Sequence, residues 1–185
     1  EHFPVDVYQT GSGTSTNMNV NEVISNRCSQ ILQNNLDNDD NIDSIHPNND
    51  VNQSQSSNDT FPTAMHIATA IQLRDNLIPE LELLMKSFLK KQKEFKEILK
   101  IGRTHLMDAT PITLGQEFSG YTRQLEKSIE RAKKAFDILL ELPLGGTAVG
   151  TGLNCHEDFP KIAIDFISSK TGIQFKEAKN HFEAQ

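Results

Sequence analysis

The sequence predicts an all-α fold, a bundle of long helices, on three observations. Apolar residues recur at three- and four-residue steps over long stretches. No segment sustains the alternation of a β-strand beyond a few residues. Polar turns rich in Asn, Asp, Ser and Gly fall between the periodic stretches.

The first periodic stretch runs from Asn19 to about Leu36, with Val20, Val23, Ile24, Cys28, Ile31 and Leu32 on one stripe. The segment from Asp37 to Thr60 is rich in Asn, Asp and Ser, reads as non-periodic, and contains no Lys or Arg. A second helix is expected from near Phe61, with Pro62 in its first turn and Asp59 or Thr60 as N-cap. Its stripe is Ala64, Ile67, Ala68 and Ile71, then Leu77, Leu81, Leu84, Phe88, Phe95 and Leu99. Pro79 removes one intrahelical hydrogen bond, so a kink or break is expected there. Lys86, Lys90, Lys91, Lys93, Lys96 and Lys100 read as a solvated face near the negative end of that helix.

A third helix is expected from Leu114. Phe118, Tyr121, Leu125, Ile129, Ala132, Phe136 and Leu139 form a narrow seam suited to packing against other long helices. Pro111 and Pro143 bracket it. A shorter helix, about Phe159 to Ser169, follows the glycine-rich "PLGGTAVGTGLN".

The 185 residues suffice for a sizeable core, although only 36% are hydrophobic and Trp is absent. The net charge of −7 gives no support to nucleic-acid binding. No apolar run approaches the roughly 18–20 residues needed to span a bilayer. Cys28 and Cys155 lie far apart and form neither a metal spacing nor a disulfide framework, which fits a reducing compartment. The opening "EHFPVDVYQT" and the closing "NHFEAQ" read as interior sequence, so the chain is expected to be a piece of a longer one.

Three polar segments lie at or near helix starts: "QTGSGTSTNMNVNE" (9–22), "HPNNDVNQSQSSNDTFPTAMH" (46–66) and "GRTHLMDATPITLGQEF" (102–118). Helix starts present unpaired N–H groups and a partial positive charge, which suit anions. Ser12, Thr14, Ser56, Ser57, Asn58 and Thr104 add hydroxyls and amides that can orient a carboxylate. Gly11 and Gly13 allow close backbone approach. The run "GGTAVGTG" looks like a phosphate-cradling loop, but it lacks the P-loop Lys and follows a helix rather than a strand, which argues against nucleotide binding.

Taken in order, these segments and "LGGTAVGTGLN" resemble the class II fumarase branch of the fumarase/aspartase superfamily, and the resemblance covers nearly the whole chain. Related aspartases usually carry Gln at the position of His105, and Gly-Gly-Ala at Thr10, Gly11 and Ser12. Both positions favour fumarase over the alternative, an aspartate ammonia-lyase. A second alternative, a non-catalytic helical oligomerisation module, rests on the seam alone.

The resemblance implies reversible hydration of fumarate to (S)-malate without metal or cofactor. It implies substrate-binding roles for Ser12, Gly13, Thr14, Ser56, Ser57, Asn58 and Thr104, and proton transfer to or from water by His105, whose ordinary pKa lies near neutrality. His46, Pro47, Asn48 and Asn49 match a second dicarboxylate site. Asn49 stands where Asp is common and Met107 where Gln is common, which weakens side-chain roles at both.

A homotetramer is also implied, its active sites shared between subunits around a central bundle. The location implied is the cytoplasm, or the mitochondrial matrix in a eukaryote. Residues 1–60 correspond to the end of an N-terminal region and 61–185 to part of the central helical domain. The family's glycine-serine-serine loop, which supplies the carbon-proton base and a lysine–asparagine clamp, is not in this sequence. The 185 residues alone are therefore expected to be inactive.

Overall fold

The computed structural model describes residues 2–8, 13–35 and 45–185. Four long helices carry the fold: α1 (Thr14–Asn35), α2 (Ser57–Gln72), α3 (Ile78–Glu94) and α4 (Leu114–Leu139). The shorter α5 (Phe159–Thr171) and α6 (His181–Ala184) follow. The all-α reading stands, and α4 occupies the stretch its periodicity predicts. The chain divides into two compact units, Glu1–Ala68 with Leu140–Gln185, and Thr69–Leu139.

Several boundaries differ from the sequence reading. α1 begins at Thr14 rather than Asn19, because the polar run Thr14–Asn17 is helical although it has no apolar stripe. α2 begins at Ser57 rather than Phe61, so Pro62 lies inside the helix and not in its first turn. Pro62 has no N–H to give the Asn58 carbonyl, a local loss tolerated near a helix start. The region read as non-periodic contains a π-helical turn at Pro47–Val51, with His46 as its N-cap.

Ahead of Pro79 the helix widens into a π-turn, Leu73–Leu77, and regular α3 restarts with the proline in its first positions. This is the expected interruption, absorbed as a π-bulge. The helix expected to reach Lys100 ends at Glu94. Leu99 and Lys100 belong instead to a strand, so the lysine series does not lie on one helix.

That strand, β1 (Leu99–Thr104), pairs antiparallel with β2 (Met107–Thr113) in a hairpin that the sequence does not announce. Its two-residue loop is His105–Leu106, both at positive φ, 47° and 62°. Such loops normally carry Asn-Gly or Asp-Gly, and Pro within a strand argues against one, so the usual signals are missing. Gly102 sits at the register shift, where a Cβ would lie 2.8 Å from the Thr110 carbonyl oxygen.

In the second unit α3 and α4 form a helical hairpin, and β1–β2 project from the join. Leu114 N–H donates to the Ile98 carbonyl (2.8 Å) and Gly115 N–H to that of Phe95 (2.9 Å). Gly115 permits this approach, since a Cβ there would lie 2.7 Å from the Gln92 oxygen. Beside the join, Phe118 packs edge-on against Phe88 and Phe95 at centroid distances of 5.7 and 5.2 Å. Edge-to-face pairs of this kind add about 0.5–1.5 kcal/mol each beyond area burial.

In the first unit the core is Leu142, Leu144, Ile164, Ile173, Phe175 and Ala178, all buried. A short parallel pair, β3 (Glu141–Leu142) and β4 (Lys176–Glu177), ties the chain after α5 to the chain before the glycine loop. The side chains of Lys176 and Glu141 meet at 3.1 Å across it.

Candidate functional site

Two helices of the first unit begin at the same place. Thr14 is the first residue of α1 and Ser57 the first of α2, and their hydroxyl oxygens lie 3.2 Å apart. Two helix starts therefore direct their positive dipole ends at one region. Gly13 makes the meeting possible. Its φ is +78°, and a Cβ there would fall 2.2 Å from the Phe61 ring.

A capping box shapes the start of α2. Ser56 Oγ accepts from the Asn58 N–H at 3.2 Å, and Asp59 Oδ1 accepts from the Ser56 N–H at 2.9 Å. Ser56 is thus the N-cap and Asp59 the third helical residue, correcting the expectation of Asp59 or Thr60 as cap. The Asn58 side-chain amide also donates to Ser56 Oγ, at 3.1 Å.

A second layer of amides braces the two helices. Asn52 Oδ1 accepts from Asn17 Nδ2 at 3.1 Å and from Asn21 Nδ2 at 3.0 Å. Thr60 Oγ1 donates to Asn17 Oδ1 at 3.0 Å. Asn17 and Asn21 sit one helical turn apart on α1, so a single carbonyl oxygen can hold both.

The structure brings together Gly13, Thr14, Ser56, Ser57 and Asn58. Ser12 lies outside the described residues. Thr14 and Asn58 are exposed and Ser56 and Ser57 half-buried, so their polar groups remain accessible.

His46 caps, and Pro47, Asn48 and Asn49 begin, the π-helical turn of the same unit. His46 Nδ1 accepts from the N–H groups of Asn48 and Asn49, both at 3.2 Å. The backbone N–H of His46 donates to Asp50 Oδ2 at 2.6 Å. The imidazole consumes two amides that would otherwise face solvent, while the Asn48 and Asn49 side chains stay exposed.

Thr104 and His105 belong to the second unit. Thr104 pairs with Met107 to close the hairpin, and His105 is the first residue of its loop. Both are exposed. The expected polar turn before a long helix is therefore the tip of a β-hairpin. Thr113 and Gln116 form a capping box at the start of α4, with Gln116 N–H donating to Thr113 Oγ1 (3.1 Å) and Thr113 N–H to Gln116 Oε1 (2.8 Å).

The hairpin is anchored to α4 by charge. Lys100 Nζ lies 2.5 Å from Glu117 Oε2, and the Tyr121 hydroxyl donates to Glu117 Oε1 at 2.9 Å. The Lys100 hydrogen bond, then that from Tyr121, holds the Glu117 carboxyl below its ordinary range, and the same contact raises Tyr121.

Asp59 is the functional candidate whose role the sequence reading missed. It is fully buried. Its Oδ2 accepts from the N–H groups of Gly145 (3.1 Å) and Thr147 (2.9 Å), in the glycine-rich segment. The Ser-x-x-Asp spacing, Ser56 to Asp59, signals the capping box, but nothing in the sequence signals the link to a loop more than eighty residues away. Among the described residues no group of three or more His, Cys, Asp or Glu could hold a metal ion, and no helix is long and apolar enough to cross a membrane.

Comparison with known proteins agrees along the chain. A family model described as "Lyase" matches residues 1–185. The class II fumarate hydratase of Helicobacter pylori is 53% identical over 182 residues, which cover 98% of this chain and 39% of that protein. The mitochondrial fumarate hydratase of Saccharomyces cerevisiae is 55% identical over 184 residues, covering 100% of this chain and 37% of that one. The crystal structure of class II fumarase from Schistosoma mansoni superposes with a TM-score of 0.89 at 40% identity, over 99% of this chain and 41% of that one. The chain thus spans about two-fifths of the length of the relatives it matches. It belongs to this lyase family, and its similarity to class II fumarate hydratases extends over its whole length.

Proposed function

We propose that the protein represented by this chain reversibly hydrates fumarate to (S)-malate. The single observation that carries the reading is the junction of two helix starts at Thr14 and Ser57, lined with neutral donors. A dicarboxylate suits such a place: its charge meets two dipole ends, and hydroxyls and amides set its orientation. Ser12, Gly13, Thr14, Ser56, Ser57, Asn58 and Thr104 are the proposed substrate contacts.

In the dehydration direction, a base removes the C3 proton of malate and the C2 hydroxyl leaves as water. His105 supplies the proton that turns the leaving hydroxide into water, and in hydration it takes that proton back. The carbon-proton base belongs to the glycine-serine-serine loop of the family. That loop is not within these 185 residues, so turnover is assigned to the whole protein and not to this piece.

His46, Pro47, Asn48 and Asn49 are proposed as a second dicarboxylate site. Assembly is proposed as a homotetramer, and the location as the cytoplasm, or the mitochondrial matrix in a eukaryote.

The test is fumarate formation from (S)-malate, followed by ultraviolet absorbance, in the whole protein and its His105→Asn variant. The expected loss is about 10²–10⁴-fold in kcat, the usual worth of a positioned acid–base group. The exposed position of His105 predicts an unchanged unfolding midpoint. Full activity in the variant would remove His105 from the mechanism. Ammonia release from aspartate, with no fumarate formed from malate, would replace the reading with an ammonia-lyase.

A further inference from the structure

The Asp59 carboxylate is fully buried, and among the described residues no cation pairs with it. Three backbone N–H groups donate to it: Ser56 on Oδ1, and Gly145 and Thr147 on Oδ2. An isolated carboxylate in such a place would be costly, and three charge-assisted hydrogen bonds offset that. The two oxygens serve different parts of the chain. One fixes the N-cap of α2, which presents Ser56, Ser57 and Asn58. The other fixes the loop at Gly145–Thr147.

That loop is strained at one point. Gly145, at φ +101°, has a conformation open to glycine, but Thr147 lies at φ 56°, where a β-branched residue is an outlier. Thr147 is also buried, and among the described residues its hydroxyl has no hydrogen-bond partner. Strain of this kind persists only where surrounding contacts over-determine it. Asp59, the Gln185 side chain, which donates to the Thr147 carbonyl at 2.8 Å, and the Gly150 and Gly152 N–H groups on the Gly146 carbonyl are among the contacts that hold it.

We infer that Asp59 is a positioning residue: its carboxylate couples the glycine loop to the Ser56–Asn58 segment, so that the loop helps set dicarboxylate affinity at the Thr14/Ser57 junction. The inference rests on the dicarboxylate reading proposed above. The carboxylate's symmetry is what the coupling needs. Asn has one acceptor oxygen and one NH₂ group, so whichever way the amide turns, either Ser56 or the loop faces an N–H with an N–H.

If the loop helps set affinity, then ligand must stabilise the loop by the same factor, because linkage is reciprocal. The experiment is amide hydrogen exchange on the whole protein with and without fumarate, alongside fumarate affinity for that protein and its Asp59→Asn variant. In the unsubstituted chain, fumarate should slow exchange at Gly145 and Thr147 as well as at Ser57 and Asn58. In Asp59→Asn, Kd should rise about fivefold or more, and loop exchange should no longer respond. Protection at Ser57 and Asn58 with none at Gly145 and Thr147 would overturn the coupling alone, and needs no variant to fold. A folded Asp59→Asn variant with unchanged Kd would do the same. No protection anywhere would overturn the dicarboxylate reading, and this inference with it.

Discussion

Thr14 and Ser57 are held from behind by groups withdrawn from water: a buried carboxylate, an Asn52 carbonyl shared by two amides, and a glycine pressed on a phenyl ring. His105 is held quite differently. It stands on a two-residue loop, with Leu106 and Met107 beside it 93% and 70% exposed. The hairpin is fastened at its base, through Lys100 and Glu117, rather than at its tip. The difference follows the chemistry proposed for each. Neutral donors that orient a carboxylate must be preorganised, because each misdirected hydrogen bond loses affinity. A histidine that exchanges protons with water needs access, and a hairpin supplies it with little burial of its own.

The largest effect on stability is expected where the first region is tightest. Gly13→Ala places a Cβ 2.2 Å from the Phe61 ring at a φ of +78°. The left-handed backbone costs an alanine about 1–3 kcal/mol and the overlap about 1–3 kcal/mol more. Urea unfolding should show a destabilisation of roughly 2–6 kcal/mol by those same magnitudes. An unchanged midpoint would mean that the ring pivots freely and that the junction is not tightly set.

The hairpin tip should respond in the opposite direction. Leu106 has φ +62° and a side chain almost wholly in water, so it gives up little on replacement. Leu106→Gly relieves the left-handed strain, and the chain should gain about 0.5–1 kcal/mol in unfolding free energy, net of the extra freedom of glycine in the unfolded state. A loss instead would show that Leu106 is covered by something in the folded protein, and that the tip is not an open element.

These contrasts explain what could be read in advance. The seam of α4 was legible because its burial is one-sided and its spacing regular, from Leu114 to Leu139. The starts of α1 and α2 were misplaced because Thr14–Asn17 and Ser57–Thr60 have no apolar face; hydroxyls and amides build them through hydrogen bonds that periodicity does not record. The hairpin was illegible because His105–Leu106 lacks the usual turn residues and Pro111 lies in a strand. The residues proposed for the site came from recognisable motifs. The work of Asp59 did not, since a contact from Asp59 to Thr147 depends on the folded chain alone.

The smallest effect concerns the base of the hairpin. Glu117 is held below its ordinary carboxylate value first by its hydrogen bond to Lys100 and then by that to Tyr121. A depressed folded pKa means that the unfolded chain takes up a proton first as pH falls. The contribution of the contact is therefore complete above the ordinary value of 4.5 and is lost as pH falls through the lower folded value. Both side chains are about a third exposed, so solvent and salt weaken the pair. In Glu117→Gln that component is absent. The gap in melting temperature between the two proteins should be present at pH 6 and smaller at pH 3, and added salt should narrow it at pH 6. An equal gap at both pH values would assign the anchorage of the hairpin to the aromatic packing at Phe118 and to the Gly115 approach, with the ion pair contributing nothing.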